Sequence, residues 1–257
     1  MNEMQLPAQM VILGLAFIYG IVIGSFLNVV IDRLPRGESI VTVRSHCESC
    51  GYTLKWYDLI PLISFIIYRG RCRKCGAKLS PQYPIIEAAN GLLYVSLVWT
   101  NGLSIRTLLY CLAASALLAL SVIDERTQEI PIGFNIFIAC LGVIQTVLDW
   151  ENWTGHLAGA LVVSLPLLTL YILSKGRAIG GGDIKLEAAI GLLMGWQLTL
   201  LGFIIGCIFG SVIHLIRMKV KGEGSVLAMG PYLSFGIYIT MLFGENIINW
   251  YVGYLFG

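Results

Sequence analysis

Apolar runs of about twenty residues recur from one end of this chain to the other, and that recurrence dictates its solvent. A helix crosses a hydrocarbon core with roughly 20 consecutive apolar residues, at about 1.5 Å each. The sequence is 57% hydrophobic and 12% charged over 257 residues, with a mean hydropathy of +0.79, against about 45–50% apolar content in ordinary globular domains. Because the runs continue past the first, that first run is not a lone signal peptide, and no small-residue cleavage site follows it. The expected fold class is an all-α polytopic membrane protein of about eight transmembrane helices, over 10–31, 83–100, 105–123, 131–148, 156–174, 184–196, 198–216 and 230–251. Three regions follow: a first helix in 1–31, a loop over 32–82, and a membrane core over 83–257. Glycines four residues apart, such as Gly20 and Gly24 or Gly191 and Gly195, read as close helix packing in lipid.

Lysine and arginine orient such a bundle. With eight spans and both termini outside, 16 of the 17 basic residues fall in inner loops, nine of them between Asp32 and Gln82, leaving Arg106 outside. The positive-inside rule then puts the 32–82 loop in the cytoplasm. The outer stretch DWENWTGH, with Asp149, Glu151, Trp150 and Trp153, agrees. Membrane lipid is the expected surrounding and no nucleic-acid partner is expected; the net charge of +2 says little more.

The inner loop carries the one clear internal repeat: Cys47-x-x-Cys50-Gly51-x-x-Leu54, then Cys72-x-x-Cys75-Gly76-x-x-Leu79. Two such knuckles match a four-thiolate zinc site. The glycine after each second cysteine permits the positive φ of the turn. Four protein ligands leave no position for water, so the zinc is expected to be structural. Disulfides are disfavoured in a reducing cytoplasm. The middle of the loop, LIPLISFIIY, is too short to span and is expected at the interface or beneath the knuckle. Cys111, Cys140 and Cys207 stand singly and read as small apolar residues.

Ionisable residues inside spans invite a functional explanation. Asp124 closes the third apolar run and Asp183 opens the sixth, behind Gly180, Gly181 and Gly182. Alternation of the helices puts both at the cytoplasmic edge. Two carboxyls a few ångströms apart share one proton, which supplies a base to activate water and an acid to polarise a carbonyl. The glycines would let an extended substrate lie beside Asp183. The competing reading makes Asp183 a helix cap and Asp124 part of a charged turn. Lys185 reads as an interfacial anchor, or as a charge that biases the proton; Glu87 and Glu187 read as polar support.

Taken together, GSFLNVVIDRLP, the paired CxxC knuckles, PLISFIIYRGRCRKCG, YPIIE, Asp124 with Pro131, GGGDIKL, and GPYL at Gly230 to Leu233 resemble the type IV prepilin peptidases, membrane aspartic proteases of the GxGD kind, over nearly the whole chain. The resemblance implies that Asp124 and Asp183 are the catalytic pair. It implies substrates that are prepilins or pilin-like precursors, cut between a basic leader and a hydrophobic helix at the cytoplasmic membrane. Methylation of the new N-terminus with S-adenosylmethionine is implied as well. Many relatives carry Gly-Lys where this chain has Ser80 and Pro81, which ranks methyl transfer below proteolysis. A presenilin-like protease cutting within the bilayer and a zinc-bearing transporter or assembly factor are the competing readings.

Overall fold

A computed structural model describes residues 5–177, 179–221 and 228–256. Ala178, within the stretch that precedes the three glycines, lies outside the described residues. Among the described residues there are ten α-helices: α1 (Gln5–Arg33), α2 (Ile63–Ile67), α3 (Gln82–Asn101), α4 (Ile105–Thr127), α5 (Ile132–Leu148), α6 (Trp153–Val162), α7 (Ser164–Leu173), α8 (Gly181–Met194), α9 (Trp196–Lys221) and α10 (Gly230–Phe256). All eight expected segments are helical. The fifth is divided at Val163, because Pro166 has no N–H for the Val162 carbonyl and its ring crowds that oxygen.

Four helical stretches are long and apolar enough to cross a membrane among the described residues: Pro7–Arg36, Ile105–Thr127, Trp150–Leu173 and Trp196–Lys219. The protein is therefore a membrane protein built from helices. Lipid-compatible side chains lie open on α1, where Met10 and Tyr19 are 68% and 66% exposed.

The chain divides into two compact units, Met1–Leu103 and Ser104–Gly257. In the first, α1 packs along α3. A Cβ on Gly20 would fall 2.7 Å from Gly91 Cα, and one on Gly24 would fall 2.8 Å from Glu87 Cα, so the small-residue spacing is what lets the two backbones touch. Asn90 seals the contact by donating to the Gly20 carbonyl at 2.8 Å.

In the second unit, α4 begins at Ser104, whose hydroxyl accepts the Thr107 N–H at 3.0 Å, a favoured N-cap. It ends at Gln128 in the left-handed region, with the Gln128 N–H bonded back to the Asp124 carbonyl at 2.8 Å. That termination puts Asp124 in the last turn. Helix α5 packs on both α4 and α8, and α10 packs on α4 and α9. Gly191 of α8 meets Gly159 of α6 backbone to backbone.

Candidate functional site: two aspartates and a four-cysteine loop

Helix α8 starts with Gly180 as its N-cap residue, so Asp183 occupies the third helical position. From there its carboxylate reaches back to accept the Gly180 N–H, half of a capping box. The cap and the site are therefore one group in this structure. The glycines are not interchangeable. A Cβ at Gly180 would lie 2.9 Å from Asp183 Oδ2 and one at Gly182 2.9 Å from Ile130 Cβ, whereas Gly181 faces open space. Two of the three make room for the protein's own atoms, and a side chain at Gly181 would meet nothing.

Asp124 is 4% exposed. The Gly230 N–H, the first of α10, donates to its Oδ2 at 2.8 Å. A helix N-terminus presents free amides and a positive dipole end, so it favours the charged form of the acid it touches. The fit leaves no space, since a Cβ on Gly230 would lie 2.6 Å from that oxygen. GPYL was read from the sequence as a block without a role; here its glycine holds Asp124.

Asp183 lies within electrostatic range of Asp124. The intermediary is α5. Ile130, just before it, fills the space over Gly182, and buried Asn135 in its first turn donates to the Gly182 carbonyl at 3.4 Å. Asn135 escaped the sequence reading, although an amide in an apolar helix was its signal. Lys185 is exposed and, two residues from Asp183, points to another side of α8. Glu187 is fully buried.

Glu87 belongs to a different assembly. It is buried on α3, where its Oε2 accepts the Leu62 N–H at 2.8 Å and the Ser25 hydroxyl reaches its carboxylate. Leu62 has φ 60°, a left-handed backbone that a leucine rarely adopts, so this carboxylate holds a costly bend at the start of α2.

The cysteine repeat folds as a structural repeat. Cys47 N–H bonds to Tyr52 O, Gly51 N–H to Cys47 O and Leu54 N–H to Ser45 O; the same three bonds recur at Cys72 to Ala77, Gly76 to Cys72 and Leu79 to Gly70. Gly51 and Gly76 have φ of 68° and 72°, as the turn demands. The four sulfurs lie within 4.8 Å of one another, with Cys47 and Cys75 at 3.9 Å. Thiolates around a tetrahedral ion with bonds of about 2.3 Å would be about 3.8 Å apart, so the donor set fits one such ion. Amides of Cys75 and Lys74 aimed at Cys72 pull its thiol down to about 7. Cys75 is pushed up to about 11, against the Ala77 amide, by burial and by the crowd of neighbouring thiols. Four such sulfurs ionise together only around a cation. Cys111 is buried among apolar side chains, as a small hydrophobe.

Beside this loop the first unit holds a cavity of about 920 Å³, lined in part by Asp32, Arg36, Glu48, Tyr68 and Tyr83.

Two family models match the chain: the bacterial peptidase A24 N-terminal domain over residues 18–101 and the type IV leader peptidase family over residues 111–215. Among curated proteins, the prepilin leader peptidase/N-methyltransferase of Pseudomonas putida is 30% identical, with 91% of each chain covered. That of Legionella pneumophila is 30% identical over 92% of this chain and 93% of its own. The Bacillus subtilis protein of the same name is 30% identical over 93% of this chain and 98% of its own. No solved structure matches. The chain thus belongs to the type IV leader peptidase family, and it is a peptidase.

Proposed function

We propose that this protein is a membrane aspartic endopeptidase that removes the basic leader from type IV prepilins and pilin-like subunits at the cytoplasmic face of a bacterial membrane. In this reading it then methylates the new N-terminus with S-adenosylmethionine. The observation that carries the peptidase reading is the meeting of Asp124 and Asp183 within charge range in one unit, each holding a backbone amide.

Each acid holds an amide at a helix N-terminus, but Asp183 also feels the charge of Asp124, so Asp124 is taken as the base and Asp183 as the acid that carries the shared proton. Asp124 takes a proton from water as its oxygen attacks the scissile carbonyl carbon, and Asp183 gives its proton to the carbonyl oxygen. On collapse the C–N bond breaks, the proton on Asp124 passes to the leaving amine, and Asp183 recovers its own. Positioned acid–base groups of this kind contribute roughly 10²–10⁴-fold in rate. Open space beside Gly181 gives an extended substrate backbone access to Asp183.

Eight spans with both termini outside support the cytoplasmic placement, since 16 of the 17 basic residues then lie inside. A basic leader belongs on that side too. Zinc is the ion that the four cysteines suit, as a structural clamp on the loop. The 920 Å³ cavity is large enough for the methyl donor, with Asp32 and Glu48 as carboxylates for its cationic sulfur and Tyr68 and Tyr83 as aromatic walls. When bound, that donor supplies an activated methyl group.

Purified protein and one pilin precursor, with and without S-adenosylmethionine, followed by mass spectrometry, test both activities. The expected products are a mature pilin and, with donor, the same species one methyl heavier. A precursor left whole by active-site-intact protein removes the peptidase reading.

A further inference from the structure

Glu187 has no place in the mechanism so far, yet among the described residues of the second unit it is the buried acid with neither oxygen partnered. It is 0% exposed, and neither of its side-chain oxygens has a hydrogen-bond partner. An anion in such a place would lack any compensation for lost water, so the group is carried as the neutral acid, a hydrogen-bond donor with nothing to donate to.

Its register says where that donor is directed. Residues four apart share one face of a helix, and long side chains lean toward the N-terminus, over the preceding turn. The residue in that preceding turn is Asp183. Asp183 lies within electrostatic range of Glu187, and so does Cys207 of α9. Among the described residues, no ionisable group of α5, α6 or α7 acts on it. In the resting structure the Asp183 carboxylate is turned to the Gly180 amide, and no hydrogen bond joins the two acids.

We propose that Glu187 is a positioning residue for Asp183: a buried neutral acid, one helical turn below, that donates a hydrogen bond to Asp183 when Asp183 has handed its proton to the substrate. This rests on Asp183 being the acid of the peptidase. Its charge appears only as the tetrahedral intermediate forms, so a donor held in reserve beneath it favours the transition state over the bound substrate. The proton stays on Glu187 throughout, and no further group is consumed.

Three variants and one control decide it. Glu187→Leu replaces an unpartnered acid by an apolar side chain of similar size, so it should unfold no earlier than wild type in detergent. Its kcat for leader cleavage should nevertheless fall about tenfold with KM unchanged, and the alkaline limb of its rate profile should move to higher pH, because charge on Asp183 has lost its donor. Glu187→Gln keeps a donor of the same shape and should retain about a third of the rate or more. Glu187→Asp withdraws the acid by one methylene and should behave like the leucine variant, which keeps the test open should leucine not fold. Wild-type kcat and an unmoved alkaline limb in the leucine or aspartate variant overturn the proposal. So does a glutamine variant as slow as the leucine one, or a leucine variant whose lost rate simply follows lost thermal stability. Asp183→Asn is the control: if it still cleaves, the peptidase assignment itself fails, whatever Glu187 does.

Discussion

The cysteine loop and the aspartate pair are both small polar assemblies in an apolar chain, but they are built by opposite means. In the loop, every hydrogen bond of one knuckle spans at most nine residues and is repeated 25 residues later at the other. Local turns preform each half, and the two halves then need only meet around one ion. The aspartates have no such local order. Asp124 depends on an amide 106 residues away, and Asp183 depends on α5 to bring Ile130 and Asn135 against its helix start. A locally encoded site tolerates change elsewhere in the bundle; a site assembled from separate helix ends does not.

The strongest way to break that comparison is at the pair itself. Asp124→Asn and Asp183→Asn are each expected to lower leader cleavage by at least about 10³-fold, with metal content unchanged. Residual cleavage near wild type in both, measured by gel shift of a pilin precursor, would falsify the acid–base assignment. Next comes Gly230→Ala, whose methyl would press on Asp124 Oδ2. A displaced catalytic group costs roughly up to a hundredfold, so a drop of about ten- to a hundredfold is expected although no acid is altered; an unchanged rate means that the α10 amide does not position Asp124.

A smaller effect on cleavage is expected from the loop. Metal analysis of purified protein should find about one zinc per chain, lost when Cys47 and Cys72 are both changed to serine. Cleavage should then fall only a few-fold, since the acid–base pair lies in the other unit, while limited proteolysis of the 32–82 segment accelerates. A loss as large as that of Asp183→Asn would mean that the two assemblies are not separable. The smallest change in cleavage belongs to Glu87→Ala, which leaves the Leu62 amide without its acceptor. Its cost, about 1–3 kcal/mol, should appear in thermal stability and methyl transfer, with peptide cleavage nearly unaffected.

Much of this was legible in the residues. Hydropathy located the long helices to within about five residues, since burial in lipid must be written in the side chains, but it gave no helix at α2. The break at Val163 was missed because an apolar run conceals what one proline does to the ladder. The four cysteines could be grouped by spacing, and counting crossings offered the two aspartates as a candidate pair. Asn135, the Gly230 amide and the isolation of Glu187 could not be found that way. The first is a single amide in a greasy helix, the second is a backbone group with no side chain to announce it, and the third is defined by partners it lacks.

The sequence by itself determined that this chain lives in a membrane, that its helices fall where they do, and that four thiolates gather in one loop. These follow from solvent preference and short-range geometry, which act within a few turns of chain. Only the tertiary structure decided which amide grips Asp124, which glycines make room for the protein's own atoms, and that Glu187 is sealed away beneath Asp183. Helix packing in lipid is set by shape between distant segments, and hydropathy carries no record of which faces meet.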